Sequence, residues 1–212
     1  SGSIGYGWRL ALRDVALVTD VPLTGGEDSA NYGPLRDGSR LYLTTPAGER
    51  AGFTFAPQRR SSAGVTWFEP RWIPDAGVNW VLESAGGKLQ RAGDRYYDYL
   101  TSKPYNPAGI TGVRGQYTLS GTDGTAYEID ADRGISAIVY ADGQRLEISD
   151  SGIVAANGDA LRFALDAKGR IETAAAHDGQ VLVYSYDDHG NLIGVRNLQA
   201  ATSQRYAYDD LH

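Results

Sequence analysis

Short apolar runs of strand length alternate with Gly-, Asp- and Asn-rich punctuation along most of this 212-residue chain. "QYTLSGTDGTAYEID" (116–130), "SAIVYADGQRLEIS" (136–149), "IVAANGDALRFAL" (153–165) and "IETAAAHDGQVLVYSYD" (171–187) each read as strand, turn, strand. The turns are marked by Asp37-Gly38, Asp123-Gly124, Asp142-Gly143, Asn157-Gly158 and Asp178-Gly179. Such dipeptides suit two-residue hairpin loops in which both central residues take positive φ. No segment keeps a 3.6-residue period over ten positions, and "ETAAAHDG" (172–179) holds at most one helical turn before its Gly. The pattern predicts an all-β fold of successive antiparallel β-hairpins.

The second half repeats. "ISDSGI" from Ile148, "LDAKGRI" from Leu165, "YDDHGNL" from Tyr186 and the truncated "YDDLH" from Tyr208 follow one layout, at offsets of 17, 21 and 22 residues. The first lacks the residue between Gly and the apolar position. A hairpin of two strands of about six residues with its turns uses roughly 18–22 residues, so one repeat is one hairpin. A fixed period of that size marks a stacked array in which each unit buries its face against its neighbours. Earlier in the chain the texture differs. All four Trp lie before residue 81, eleven of the fourteen Tyr after residue 95, and residues 57–80 hold Pro57, Pro70 and Pro74 with no clear alternation. Residues 4–56 therefore read as hairpins, 57–108 as a long, irregular, aromatic-rich loop region, and 109–212 as the repeat array. The expected domains are 4–108 and 109–212. Ser-Gly-Ser at the start reads as a linker outside the fold.

Composition narrows the function. With net charge −6, pI about 5.0 and no Lys/Arg stripe, the chain repels nucleic acid on average. No Cys is present, which removes disulfides and thiolate metal sites. No apolar run approaches the ~18 residues of a spanning helix, so membrane insertion is not expected.

Several side-chain groups carry candidate chemistry. Tyr184 and Tyr186 share a strand face by i, i+2 alternation, as do Tyr206 and Tyr208, and stacked hairpins bring the pairs together. Asp187 and Asp209 stand where a carboxylate closes a turn by accepting backbone N–H groups. Gly190 supplies the permissive backbone and Leu192 the next apolar position. The sharper alternative for these rings is sugar stacking. The candidate ligand site is Trp67, Trp72, Trp80, Tyr97 and Tyr99, within a wider group that includes Phe68, Tyr96 and Tyr105. Exposed loop aromatics suit carbohydrate or protein recognition; the plainer reading is a small core anchoring a long loop. Asp130 and Asp132 open an Asp-x-Asp-x-Gly stretch, a weak calcium signal that lacks the later oxygen ligands and the bidentate Glu. No metal or other cofactor is expected. Glu69, Asp75, Glu83, Asp94 and Asp98 are available as paired carboxylates. His177, His189 and His212 abut acidic turns or the chain end without metal-binding spacing, and no nucleophile elbow is present. Nothing selects a catalytic centre, and the chain reads as a non-enzyme.

"YSYDDHGNLIGV" (184–195) resembles the bacterial YD repeat of RHS-type proteins, with "LDAKGRIETA" as a degenerate copy. "GYGWRLAL" (5–12), followed by "DGSRLYLTTPAGERAGFTF" (37–55), resembles the segment that leads into the first such repeats. The resemblance implies a spiralling sheet of hairpins, shell-like in the family. It implies a non-catalytic scaffold segment of a large secreted or cell-surface protein acting in encapsulation or cell contact. The remainder of the parent chain is the implied partner, with glycans or another surface protein as further ones. The self-cleaving core of some members carries an Asp-Pro segment; this chain has no Asp-Pro dipeptide, so neither cleavage nor toxin cargo is implied. The runner-up function is a carbohydrate-binding or adhesion module built on the aromatic region 65–107.

Overall fold

A computed structural model describes residues 3–21, 33–84, 87–106, 116–131 and 133–208. The fold is all-β: antiparallel strands joined by tight turns, with no helix among the described residues. The chain divides into two packed units. One is Val15–Ala141; the other joins Asp142–His212 to Ser1–Asp14. The division expected between residues 108 and 109 thus falls inside the first unit, and the chain's opening belongs with its end.

Within Val15–Ala141, β1 (Leu17–Thr19), β2 (Arg40–Thr44), β3 (Arg50–Phe55) and β6 (Trp72–Pro74) form one sheet in the order β1-β2-β3-β6. A second sheet orders β4 (Gln58–Ser62), β5 (Val65–Glu69), β8 (Leu89–Ala92) and β9 (Arg95–Asp98). β7 (Val81–Ser84) pairs with β10 (Gln116–Ser120), which continues to β11 (Ala126–Asp130) and β12 (Gly134–Val139). The core follows the period-two pattern. Leu41 and Leu43 of β2, Phe53 and Phe55 of β3, and Tyr117 and Leu119 of β10 turn inward and are at most 2% exposed. Burying one such side chain contributes roughly 1.5–3 kcal/mol.

Residues 57–98 correct the expectation of an irregular loop, since six strands occupy them. The prolines sit at boundaries. Pro57 precedes β4, Pro70 separates β5 from β6, and Pro74 ends β6, an outer strand of its sheet, where a missing N–H is tolerated. All five residues of β4 are exposed, so no apolar alternation announces it.

The other unit is an unbroken meander of β13 (Arg145–Ser149), β14 (Gly152–Ala155), β15 (Ala160–Leu165), β16 (Ile171–Ala176), β17 (Val181–Tyr186), β18 (Leu192–Asn197) and β19 (Thr202–Arg205), each strand paired with the next. Its turns correct the expected loop type. In each Asp-Gly or Asn-Gly dipeptide only the Gly has positive φ, between 81° and 89°. At Ala155–Asp159, the Ala155 N–H donates to the Asp159 carbonyl and the Gly158 N–H to the Ala155 carbonyl, both at 2.9 Å. This is a three-residue loop: a type I turn followed by a left-handed Gly. The same bond pair recurs at 121–125, 166–170, 176–180 and 187–191. Asp or Asn just before the Gly locks it by accepting the N–H two residues on, as Asn157 does from Asp159 and Asp178 from Gln180, each at 3.0 Å.

Candidate functional site

The repeat acquires its meaning at one end of the meander, where the turns of "LDAKGRI" and "YDDHGNL" lie. Here the carboxylate stands first in the turn rather than before the Gly. Asp187 accepts the Asn191 N–H at 2.8 Å and the Asn191 amide at 2.9 Å. Asp166 accepts the N–H groups of Lys168 and Arg170 at 2.9 Å and the Arg170 guanidinium at 2.6–2.7 Å. Both carboxyls are held below the usual range. At Asp187 the cause is first the Asn191 side chain. At Asp166 burial opposes ionisation, and the Arg170 side chain with the two backbone donors outweighs it. Gly190 has φ of 93°, as the turn requires. Asp187 accepts both bonds within its own turn, and Asp209 lies outside the described residues.

The tyrosines are cross-repeat struts. The Tyr186 hydroxyl donates to the Ile171 carbonyl at 2.6 Å, and the Tyr208 hydroxyl to the Leu192 carbonyl, also at 2.6 Å. Ile171 and Leu192 are each 1% exposed, so these are dry bonds placed alike in successive repeats. Leu165 occupies the same position in the earlier copy and has no hydroxyl to offer. A register shift between Ser185 and Tyr186 interrupts the simple alternation, and an identical shift precedes Leu165. The bulge re-aims the repeat residue toward its neighbour, a device that i, i+2 counting misses. The Arg170 guanidinium sits 4.1 Å from the Tyr186 ring centroid, tying one turn to the next. Burial pushes the Tyr186 phenol up to about 12, and Tyr184 is also raised by burial and, less, by Tyr206. Tyr186→Phe and Tyr208→Phe each leave a buried carbonyl unpaired. Each is expected to cost about 1–3 kcal/mol by urea titration, with the larger value at Tyr208, whose hydroxyl makes a second hydrogen bond.

Residues 3–14 run as a strap across this same end. The Ile171 N–H donates to the Ser3 carbonyl at 2.8 Å, and the Tyr6 N–H to the Gly190 carbonyl at 3.0 Å. Trp8 lies with its ring 4.9 Å from Tyr206, and its indole N–H donates to the Tyr208 hydroxyl at 2.8 Å. Arg13 pairs with Asp150 in the β13–β14 turn. Gly5 has φ of 101°, and a Cβ there would stand 2.8 Å from the Gly190 carbonyl oxygen and 3.0 Å from the Tyr186 ring, so only glycine fits. Asp14 closes the strap on itself, accepting the N–H groups of Ser3 at 2.8 Å and Leu10 at 2.7 Å and the Ser3 hydroxyl. Sequence reasoning did not find this docking, because its contacts join residues up to 200 apart. Its one local signal is the pair of glycines flanking Tyr6.

The aromatic ligand candidates do not share one surface element. Trp72 is in β6, 5% exposed, packed on Phe55 at 5.2 Å, with its N–H donated to Ser84 Oγ at 2.7 Å. Tyr96 and Tyr105 are buried beside Phe55, and Phe68 meets Tyr96 edge-on at 5.4 Å. Trp72 is thus a core residue rather than a loop-borne ligand contact. Trp67 is half-buried in β5 with the Lys88 ammonium 4.2 Å above its ring. Trp80 is half-buried against Tyr127. Tyr97 is half-buried in β9, and Tyr99 just beyond it is exposed.

Of the carboxylates, Glu69 bonds Arg60 at 2.9 Å, Asp75 pairs with Arg40, and Asp94 with Arg36 at 3.4 Å. Asp98 caps its own turn by accepting from Leu100, Thr101 N–H and the Thr101 hydroxyl. Asp130 accepts the Arg133 N–H at 3.1 Å; Asp132 lies outside the described residues. Among the described residues no three His, Cys, Asp or Glu side chains gather as a metal site. His177 stands 3.7 Å from Asp159, His189 is exposed, and His212 lies outside the described residues. A concavity of about 410 Å³ holds Asp20, Arg36, Asp37 and Arg95. Its charges are spent on neighbours: Arg36 and Arg95 on Asp94, Asp37 on Arg91 and the Tyr96 hydroxyl, and Asp20 on the Arg40 N–H. Among the described residues no helix is long and apolar enough to cross a membrane.

Burial lifts the Tyr96 and Tyr105 phenols to about 12, with Asp37 adding to the shift at Tyr96. A folded pKa above the ordinary 10.0 means that the fold keeps the neutral phenol. Stability is therefore full below pH 10 and lost as pH climbs toward 12. Phenolate absorbance rising together with loss of near-ultraviolet dichroism in that window is the expected result. Complete tyrosine titration near pH 10 with the fold intact would contradict it.

No protein-family model matches this chain, and no curated protein matches it as a relative.

Proposed function

We propose that the chain is a non-catalytic structural segment of a large secreted or cell-surface bacterial YD-repeat protein, working in encapsulation or cell contact. The observation that carries this reading is the recurrent strut. Tyr186 to Ile171 and Tyr208 to Leu192 are the same bond one repeat apart, each beside an Asp-closed turn. Tyr186 and Tyr208 are committed to holding one hairpin against the next, and Asp187 to closing its turn. The partner on this reading is the remainder of the parent chain. A carbohydrate-binding or adhesion role for region 65–107 has less to stand on, because Trp72 is buried and Lys88 lies over Trp67.

Reading the gene on past codon 212 tests the proposal. Further Tyr-x-Tyr-Asp copies at the 21–22-residue spacing seen here are expected. A stop codon or an unrelated domain directly after residue 212 would sink it.

A further inference from the structure

The strap and its seat point beyond a single copy of the chain. We propose that the strap is exchangeable: residues 3–14 of one copy occupy the turn end of a second copy's meander, and reciprocal exchange gives a two-fold dimer.

Four observations carry this. First, the strap's fixed points, Asp150, Ile171, Gly190, Tyr206 and Tyr208, all belong to the Asp142–His212 portion. The whole Val15–Ala141 unit intervenes in sequence between strap and seat, so their pairing is a long-range contact rather than a local turn. Second, the strap is preformed. Asp14 binds Ser3 and Leu10, and the Leu10 carbonyl accepts from Arg13 at 2.9 Å and Asp14 at 2.7 Å, so it can transfer without unfolding. Third, only Val15 and Ala16 separate it from β1, and short hinges invite exchange. Fourth, strap and seat are complementary in charge and shape. Arg13, with 13% of its side chain exposed, meets the largely exposed carboxylate of Asp150, and Gly5 lies where no side chain fits. An exchanged dimer reuses every contact of the closed monomer and needs no new interface.

Charge reversal separates exchange from other association. Arg13→Asp and Asp150→Arg each set like charges across this contact within one copy. Mixed one to one, they restore opposite charges only between copies, at both exchanged seats. Each variant alone is expected to run as a monomer by light scattering, while the mixture gains about tenfold in dimer fraction. A mixture that stays monomeric while both variants keep the wild-type far-ultraviolet spectrum overturns the proposal. So do equal dimers in each variant alone, the mark of pairing between exposed β19 edges, which is indifferent to residues 13 and 150. Should either variant fail to fold, the cysteine-free sequence permits a second route, with a donor on Leu12→Cys in one batch and an acceptor on Asp188→Cys in another. Energy transfer growing after mixing is expected; its absence after days at high concentration overturns the exchange.

Discussion

Trp72→Ala is expected to destabilise the Val15–Ala141 unit by about 3–5 kcal/mol, the usual cost of deleting a buried aromatic ring. The ring is 5% exposed and packs on Phe55 at 5.2 Å and on Tyr117 at 6.5 Å. Its loss opens a cavity lined by aromatic faces that cannot collapse, since Phe55 is also held by Tyr96 and Tyr105. It also takes the N–H donor from Ser84 Oγ, which lies 3.2 Å from the Tyr105 hydroxyl. Trp72→Phe keeps most of the volume and should recover more than half of the loss. Urea titration followed by fluorescence and far-ultraviolet dichroism measures both. A Trp72→Ala protein within about 1 kcal/mol of wild type would place this residue at the surface, as loop-borne ligand aromatics are.

The second large effect belongs to a glycine. Gly152→Ala is expected to cost about 3 kcal/mol or more, through backbone strain and overpacking together. Gly152 opens β14 with φ of 143°, which L side chains rarely adopt. A Cβ there would collide with the Leu161 carbonyl oxygen and stand 3.0 Å from the Arg162 Cα. Both are backbone atoms of the adjoining strand β15, so no rotamer change relieves the contact. Gly158→Ala is the informative comparison. It also has positive φ but meets nothing within 4 Å, so it is expected to lose about 1–2 kcal/mol from strain alone. Equal losses for the two would refute the clash.

The hairpins of the second half were legible because Gly and Asp announce turns from local conformational preference alone. The fine type of turn was not. Asp-Gly suits both the two-residue loop and the three-residue loop with one left-handed Gly, and the bond pair at Ala155–Asp159 decides for the second. Strands between residues 57 and 98 stayed hidden because β4 exposes every side chain and prolines stand at its neighbours' ends, so the apolar period has nothing to display. Trp72 was misplaced for the same reason, since a Trp between two prolines reads as loop until its pairing with Phe55 is seen. Tyr186 and Asp187 were legible as structural residues, yet the acceptor of the Tyr186 hydroxyl was not. Ile171 lies 15 residues away and is brought into reach by a register shift that leaves no mark in composition.

A hairpin array under tension normally peels from its last strand, one hydrogen-bonded row at a time. The Trp8 indole changes where that process begins. Tyr208 lies beyond β19 and is joined at once to Leu192 and to Trp8. A pull applied just beyond Tyr208 therefore loads residues 3–14 before β19 can lift. Residues 3–14 and the segment around Tyr208 resist as one knot, and rupture of this repeat should come as a single force peak followed by easy unravelling.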